Sequence, residues 1–228
     1  MIATTLESTF RSATRIQESL LAAPERRVLH WLALHTPKAV NSDHLTLLGF
    51  ISMLASGLCY AFAAKDVRWV WLSSLFLGLN WLGDSLDGTL ARFRHQTRPR
   101  YGFYVDHVVD AVGAMALLLG LAASGYVHPH VAIALLLGYY LLFIEIALAT
   151  YTLAVFQISI AKFGPTELRL LLVVGNAFLV WKPVVHLFGG TYLLLDIGGF
   201  CGALGMFLMF VFQAAVHTRA LYRQEALR

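Results

Sequence analysis

Long apolar stretches separated by short polar segments make up most of the chain after residue 40. A helix needs about 20 mostly apolar residues to cross a bilayer. Six stretches reach this length, at residues 45–64, 69–90, 101–123, 129–156, 168–189 and 191–215. A tight turn at Gly189-Gly190 is expected to join the last two. The pattern therefore predicts an all-α integral membrane protein, with six transmembrane helices forming one domain over residues 41–228.

The first 40 residues are too polar to span a membrane, but their apolar positions recur near helical spacing. The apolar side of a first helix would be formed by Ile2, Leu6, Phe10, Ile16 and Leu20. Pro24 would open a second helix, whose apolar side is Val28, Leu29, Trp31 and Leu32. Residues 1–40 are therefore predicted to form amphipathic helices lying in the inner membrane interface. The alternative is a soluble pair of amphipathic helices packed on the core.

The composition also indicates a membrane protein, because 58% of the residues are hydrophobic and only 13% are charged. A soluble domain carries about 25% charged residues, so a soluble hydrolase is excluded. The net charge of +4 comes without a basic run dense enough to bind nucleic acid. Cys59 and Cys201 lie in apolar stretches and are expected to be free thiols.

The distribution of lysine and arginine predicts the orientation, since these residues concentrate on the cytoplasmic side of membrane proteins. If both termini are cytoplasmic, fourteen of them lie inside and only three lie outside, namely Lys65, Arg68 and Lys182. We therefore expect a multi-pass protein with both termini in the cytoplasm.

Four of the seven aspartates fall within 27 residues. Asp84 and Asp87 are three apart near the inner end of the second span, and Asp106 and Asp110 are four apart near the inner start of the third. Each spacing places its pair on one helix face. If the two helices are antiparallel neighbours, a rise of about 1.5 Å per residue puts Asp84 level with Asp110 and Asp87 level with Asp106. The four carboxylates would then share one cavity on the cytoplasmic side.

Four carboxylates in a medium of low dielectric constant repel one another and need a positive partner. Oxygen-only ligands favour Mg²⁺, Mn²⁺ or Ca²⁺ over zinc. Two such ions can bridge a diphosphate and stabilise charge on the attacking and the leaving oxygen, while one carboxylate accepts the proton of a hydroxyl. The cluster therefore predicts a two-metal site for a phosphate-bearing substrate.

Small and basic residues surround the predicted cavity. Gly88, Ala91 and Gly102 lie one helical turn from aspartates of the cluster and leave room for a nucleotide. Arg92 lies at the mouth, where a guanidinium can bind phosphate. The rim of the cavity also carries Arg94, Arg98 and Arg100. For Arg94 and Arg100, the inside-positive rule alone is a sufficient explanation.

The same residues match a family signature, Asp-x2-Asp-Gly-x2-Ala-Arg followed after a linker by Gly-x3-Asp-x3-Asp. Its eight fixed positions are filled by Asp84, Asp87, Gly88, Ala91, Arg92, Gly102, Asp106 and Asp110. The chain thus resembles the CDP-alcohol phosphotransferases, six-span membrane enzymes of phospholipid synthesis. They transfer a phospho-alcohol group from a CDP-linked donor to a hydroxyl acceptor and release CMP. The linker has nine residues where the family usually has eight, and this difference affects contacts made by the loop.

The resemblance implies metal ligands and a base. Asp84, Asp87 and Asp106 would bind two divalent ions, Mg²⁺ or Mn²⁺, with Asp84 and Asp106 shared between both ions. Asp110 would hold the second ion and accept the proton of the attacking hydroxyl. The family is usually dimeric, which implies a homodimer.

The resemblance also implies donor contacts. Gly88 and Arg92 would contact the CDP part of the donor, and Arg98 or Pro99 in the linker would add a further contact. The family often has a Pro-Asn-x-x-Thr stretch at the first span. Residues 41–46 depart from that stretch, so only Thr46 is carried over.

Two branches of the family differ in substrate. Most compact members resemble enzymes that transfer a phosphatidyl group from CDP-diacylglycerol to a small polar alcohol. The other branch uses CDP-choline or CDP-ethanolamine with diacylglycerol as acceptor. Its members often have a histidine directly after the third aspartate, and here His107 follows Asp106. A histidine that only packs between helices explains His107 equally well.

Three further residues are candidates for acceptor binding. Glu145 lies in the fourth span at a depth comparable to that of the aspartates. It would either bind an amine-bearing group or form a hydrogen bond with Tyr139, Tyr140 or Tyr151. Lys162 and Arg169 in the following inner loop suit a phosphorylated acceptor, although the inside-positive rule explains them equally well.

Two other functional classes compete with an enzyme. Buried acids on facing helices also occur in divalent-cation transporters, but here no ladder of acids crosses the membrane. A non-catalytic structural membrane protein does not account for four aligned acids. Metal-dependent release of CMP from a CDP-lipid separates the enzyme from both.

Overall fold

The computed structural model of the protein describes residues 14–16, 19–157, 164–187 and 189–225. Within these residues the chain forms seven helices and four short strands. In chain order they are β1 (Thr14–Ile16), α1 (Ala22–His35), α2 (Ser42–Ala63), α3 (Trp69–Phe93), α4 (Pro99–Ala123), α5 (Pro129–Leu153), β2 (Val155–Gln157), α6 (Pro165–Trp181), β3 (Val184–Leu187), β4 (Gly190–Leu193) and α7 (Leu194–Gln224).

Local capping and proline residues set the starts of the long helices. The side chain of Asn41 accepts a hydrogen bond from the backbone N–H of His44 at 3.0 Å and thereby caps α2. Three other helices begin at a proline, namely α4 at Pro99, α5 at Pro129 and α6 at Pro165. Proline is favoured there because its fixed φ suits a helix and its missing N–H needs no partner in the first turn.

The helices α2 to α7 correspond to the six predicted apolar stretches. Four of them, α2, α4, α5 and α7, are long and apolar enough to cross a membrane. The helix α6 has only 17 residues, and α3 carries polar side chains such as Asn80, Asp84 and Asp87 along its second half. The protein is therefore a mainly helical, multi-pass membrane protein.

The connection between α6 and α7 differs from the prediction. The helix expected over residues 168–189 ends at Trp181, and an antiparallel hairpin of β3 and β4 precedes α7. Pro183 accounts for the early end, because a residue before proline disfavours helical geometry, and Lys182 has φ −140° and ψ 78°. Gly189, with φ +81°, lies in the turn of the hairpin. The glycine pair therefore closes a hairpin and does not join two spans directly.

The N-terminal region agrees with the prediction only in part. The helix expected to open at Pro24 is present as α1. Residues 14–16, expected within the first amphipathic helix, instead form β1, which pairs in parallel with β2. The preference of threonine and isoleucine for extended backbone agrees with this pairing. Most of the remaining residues of that predicted helix lie outside the described part of the chain.

The helix α1 packs on the part of the bundle that carries the aspartates. Leu29 and Ala33 are buried there in a cluster with Leu45 of α2 and with two residues of α3, Leu86 and Leu90. Val28 and Trp31, predicted to share one apolar side with Leu29, are exposed at 47% and 57%. Each exposed side chain can contact lipid while the buried ones hold α1 against α2 and α3.

The helix α2 is central because glycines allow two neighbours to approach it closely. A Cβ atom on Gly83 of α3 would lie 2.5 Å from the backbone nitrogen of Gly49, and one on Gly120 of α4 would overlap the backbone oxygen of Gly57. The helices α3 and α4 therefore both pack on α2. The helices α3 and α4 also face each other across a cavity that α2 helps to line.

Candidate active site

Three aspartates from two helices meet in a small cavity. Asp84 of α3 and Asp106 and Asp110 of α4 each place a carboxylate oxygen within 4.8 Å of the others. The cavity has a volume of about 10 Å³, which is roughly the space that one water-sized particle needs. Asp87 lines the same cavity. The structure thus brings together all four aspartates of the sequence pattern.

Asp87 is held differently from the other three aspartates. Its Oδ2 accepts a hydrogen bond from Oγ1 of Thr46 at 2.5 Å, and its Oδ1 accepts one from the backbone N–H of Gly88. Asp87 and Asp106 line the same cavity, and α2 contributes Thr46 at this point. Thr46, predicted to contact the nucleotide, orients a carboxylate of the cluster.

Arg169 of α6 reaches the same cluster. Its Nη2 donates a hydrogen bond to Oδ2 of Asp84 at 2.6 Å, and the two side chains are 12% and 23% exposed. Its Nη1 is buried and has no hydrogen-bond partner among the described residues. A guanidinium N–H in this position can bind an anionic oxygen of a ligand. The sequence suggested Arg169 for the acceptor but gave no sign of the contact with Asp84, which lies 85 residues away.

The residues predicted to contact the nucleotide lie beside the cluster. Nη2 of Arg92 donates to Oγ1 of Thr89 at 3.2 Å. The guanidinium also lies along Gly88, where an added Cβ would come within 3.3 Å of Nη1. Gly102 of α4 has open space on its free side, since nothing lies within 4 Å of an added Cβ. Glycine at both positions thus leaves the helix surfaces accessible.

A second, larger cavity of about 420 Å³ opens beside Ala91. Arg98, which lines it, forms an ion pair with Asp43 in the first turn of α2 and places its guanidinium 4.3 Å from the ring centre of Tyr101. The polar residues that line this second cavity include Asn41, Ser42, Gln96 and Thr97. The volume falls in the range of small-molecule sites.

A family model described as CDP-alcohol phosphatidyltransferase matches residues 40–216. The chain belongs to the CDP-alcohol phosphatidyltransferase family. A curated relative, the archaetidylinositol phosphate synthase of Pyrococcus horikoshii, is 30% identical over 103 residues, which are 45% of this chain and 51% of the relative. The chain therefore matches only about half the length of this relative. Phospholipid head-group transfer is the activity associated with this family and this relative.

The aspartate cluster fits the divalent metals on which this family generally depends. The described residues that line the cavity offer carboxylate oxygens and no thiolate or imidazole, and oxygen donors select Mg²⁺ or Mn²⁺. Asp84, Asp106 and Asp110 already share a space that one ion can occupy. Asp87 lines the same cavity but is not part of this group of three.

Glu25 of α1 contacts helices that lie in the region matched by the family model. The sequence pattern did not single out this residue. Its Oε1 accepts hydrogen bonds from Nε1 of Trp81 at 2.9 Å, from Oγ of Ser85 at 3.2 Å and from Oγ1 of Thr166 at 2.7 Å. The residue is 7% exposed. One carboxylate therefore ties α1 to α3 and to the first turn of α6.

Glu167 makes a second link at the same place. It accepts hydrogen bonds from the backbone N–H groups of Leu21 at 2.8 Å and Gly164 at 2.9 Å. It thus caps α6 and also holds the residue just before α1. Arg169 follows two residues later, so the α1–α6 junction, formed by Glu25, Thr166 and Glu167, fixes the turn from which Arg169 reaches Asp84.

Arg94 also has a defined role that the inside-positive rule did not predict. Its guanidinium donates to the carbonyl oxygens of Thr36 at 2.9 Å, Pro37 at 3.0 Å and Val40 at 2.5 Å. It therefore closes the connection between α1 and α2 against the end of α3.

The remaining acceptor candidates are not among the residues that line the aspartate cavity, or they lie outside the described chain. Glu145 is buried, as its depth predicts, but its Oε1 pairs with Nδ1 of His217 at 2.5 Å. None of the tyrosines expected as its partners takes this place; Tyr140, for example, donates to the carbonyl oxygen of Ala111. His107 packs between the rings of Phe103 and Phe143. Lys162 lies outside the described residues.

Proposed function

We propose that this protein transfers a phosphatidyl group from a CDP-diacylglycerol-type donor to a hydroxyl of a small polar acceptor and releases CMP. The observation that carries the proposal is the meeting of Asp84, Asp106 and Asp110 within 4.8 Å beside the buried Arg169. The site thus offers carboxylates that can bind cations next to a guanidinium that can bind an anion.

The four aspartates would hold two divalent ions, Mg²⁺ or Mn²⁺. Asp84 and Asp106 would contact both ions, Asp87 one ion, and Asp110 the other. When bound, such ions neutralise the diphosphate and stabilise charge on the attacking and leaving oxygens.

Asp110 is the proposed proton acceptor. The hydroxyl oxygen of the acceptor forms a bond to the phosphorus that carries the diacylglycerol, and the bond from that phosphorus to the CMP oxygen breaks. The hydroxyl proton passes to Asp110, and CMP leaves with the electron pair. General bases of this kind contribute about 10²- to 10⁴-fold to rate.

The donor nucleotide would lie against the exposed side of Gly88 and Gly102. Arg92 supplies a guanidinium for its phosphates, and Thr46 holds Asp87 in place from the opposite helix. The 420 Å³ cavity beside Ala91 and Arg98 has the size and polar lining for the cytidine part.

Arg169 supports a phosphorylated acceptor, because its Nη1 is buried without a partner among the described residues. The name of the archaeal relative states that it makes an inositol phosphate lipid. Lys162, seven residues before Arg169 in the sequence, would add a second positive charge. The second candidate function, choline or ethanolamine phosphotransfer with diacylglycerol, rests on His107 and Glu145. His107 packs between aromatic rings, and Oε1 of Glu145 pairs with His217 while its Oε2 is not on the lining of the aspartate cavity, so the phosphatidyl branch is the better supported.

The proposed enzyme has six spans with both termini and the active site on the cytoplasmic side. The fourteen inner lysines and arginines support this orientation. A homodimer is proposed from the family resemblance alone.

One assay tests the proposal. Purified protein with Mg²⁺ or Mn²⁺ is incubated with CDP-diacylglycerol, CDP-choline or CDP-ethanolamine and a panel of free and phosphorylated alcohols, and CMP and the lipid product are measured. We expect CMP only with CDP-diacylglycerol, and only in the presence of metal and a phosphorylated acceptor. Asp106→Asn is the inactive control. Metal flux into liposomes without CMP release would instead support a cation transporter.

A further inference from the structure

The acidic cavity contains one more polar group, the side-chain amide of Asn80. Asn80 lies one turn before Asp84 on α3, is 3% exposed and lines the same cavity. Its Nδ2 donates a hydrogen bond to the carbonyl oxygen of Gly49 at 2.9 Å. Because a carbonyl oxygen can only accept, this contact fixes the orientation of the amide and leaves its oxygen for another partner.

That oxygen, Oδ1, is buried and has no hydrogen-bond partner among the described residues. A buried amide oxygen without a partner is costly, and an apolar side chain of similar size would avoid the cost. The presence of asparagine in a mostly apolar stretch of α3 is therefore explained if a ligand occupies the cavity beside it.

We propose that Oδ1 of Asn80 is a ligand of the divalent cation held by Asp84 and the aspartates of α4. The inference rests on the proposed metal-dependent function. Amide oxygens bind hard cations as carboxylates do. Two divalent ions already balance the charge of four carboxylates, and a neutral ligand adds an oxygen without an excess of negative charge.

Metal binding without substrates tests the proposal. Purified full-length protein is titrated with Mn²⁺, and free Mn²⁺ is measured by electron paramagnetic resonance. Asn80→Leu should weaken Mn²⁺ binding on the order of 10- to 100-fold, whereas Asn80→Asp, which keeps the oxygen, should bind at least as tightly as the wild type. Equal weakening in both variants would mean that only the hydrogen bond to Gly49 matters, and would overturn the proposal.

A matched control distinguishes a lost ligand from a loosened helix pair. Ser56→Ala removes a buried hydrogen bond of 2.8 Å to Ser73, which joins α2 to α3 away from the cavity. This variant should bind Mn²⁺ like the wild type. A loss of Mn²⁺ binding in Ser56→Ala equal to that in Asn80→Leu would also overturn the proposal.

A ligand exchange gives a second test that does not need the leucine variant to fold. In a Cys201→Ser background, Asn80→Cys places a soft thiolate at the position, and thiolates select softer metals than carboxylates do. We expect Cd²⁺ to produce a thiolate-to-metal absorption band that the Cys201→Ser parent lacks. Absence of the band would overturn the inference.

Failure of this inference and failure of the proposed function have different signatures. A wild-type chain that binds no Mn²⁺ would overturn both the role of Asn80 and the metal site. A wild-type chain that binds Mn²⁺ no more tightly than Asn80→Leu would overturn the role of Asn80 alone, and the release of CMP would still be expected.

Discussion

Arg169 donates a hydrogen bond to Asp84 across 2.6 Å and so connects the start of α6 with the acidic cluster of α3. The pair is largely shielded from water, and Nη1 of Arg169 is left over for a ligand. Arginine suits this arrangement because its planar group can bind two partners in fixed directions, whereas lysine presents one compact charge.

Arg169→Lys should therefore retain the charge but lose the second contact. We expect kcat/KM for a phosphorylated acceptor to fall about 10- to 100-fold, the loss that corresponds to one charge-assisted hydrogen bond. The effect should lie mainly in KM for the acceptor, with KM for the CDP-linked donor changed little. Arg219→Lys, an exposed residue near the end of α7, is the control. A change confined to donor KM would contradict acceptor binding by Arg169.

Asp110→Asn tests the proposed proton acceptor. The amide is similar in size to the carboxylate but does not accept the hydroxyl proton, so kcat should fall about 10²- to 10⁴-fold. Binding of CDP, measured by calorimetry in the presence of Mg²⁺, should remain. Turnover near the wild-type rate would show that another group accepts the proton.

The aspartate cluster was predictable because it depends on short-range spacing. Asp84 and Asp87, and likewise Asp106 and Asp110, occupy one face of a helix, whatever the packing. The packing of both helices on α2 was not predicted, because it depends on close contacts such as Gly57 with Gly120. The hairpin after Trp181 was missed because apolar residues such as Val184, Val185 and Leu187 continue the apolar stretch beyond the end of α6.

The contacts that support the cluster could not be predicted from spacing. Arg169 and Asp84 are 85 residues apart, and Glu25 and Thr166 are 141 apart. A weak signal existed for Asn80, a polar residue in a mostly apolar stretch, but only the structure shows its unpartnered oxygen. Polar partners of this kind are set by tertiary packing.

The α1–α6 junction should affect both stability and activity. Glu25→Leu leaves the partly buried donors of Trp81, Ser85 and Thr166 without their acceptor, and a fully buried donor that loses its partner costs about 1–3 kcal/mol, which is an upper bound for each. We expect a lower midpoint of thermal unfolding and, because the turn before Arg169 is loosened, a higher KM for the acceptor. Arg27→Ala, an exposed change on the same helix, should alter neither. An unchanged acceptor KM in folded Glu25→Leu would show that the junction does not position Arg169.

The crossing of α2 and α4 provides a test of the fold that is separate from the chemistry. A Cβ on Gly120 would overlap the backbone of Gly57, and backbone cannot move aside as a flexible side chain can. Gly120→Ala should therefore force the helices apart and destabilise the protein by about 1–3 kcal/mol, as overpacking does elsewhere. Gly78→Ala on α3 is the matched control, because nothing lies within 4 Å of an added Cβ there. That change should be neutral or slightly stabilising, since alanine favours a helix more than glycine does. Thermal unfolding in detergent measures both variants, and equal midpoints would contradict the close approach of α2 and α4.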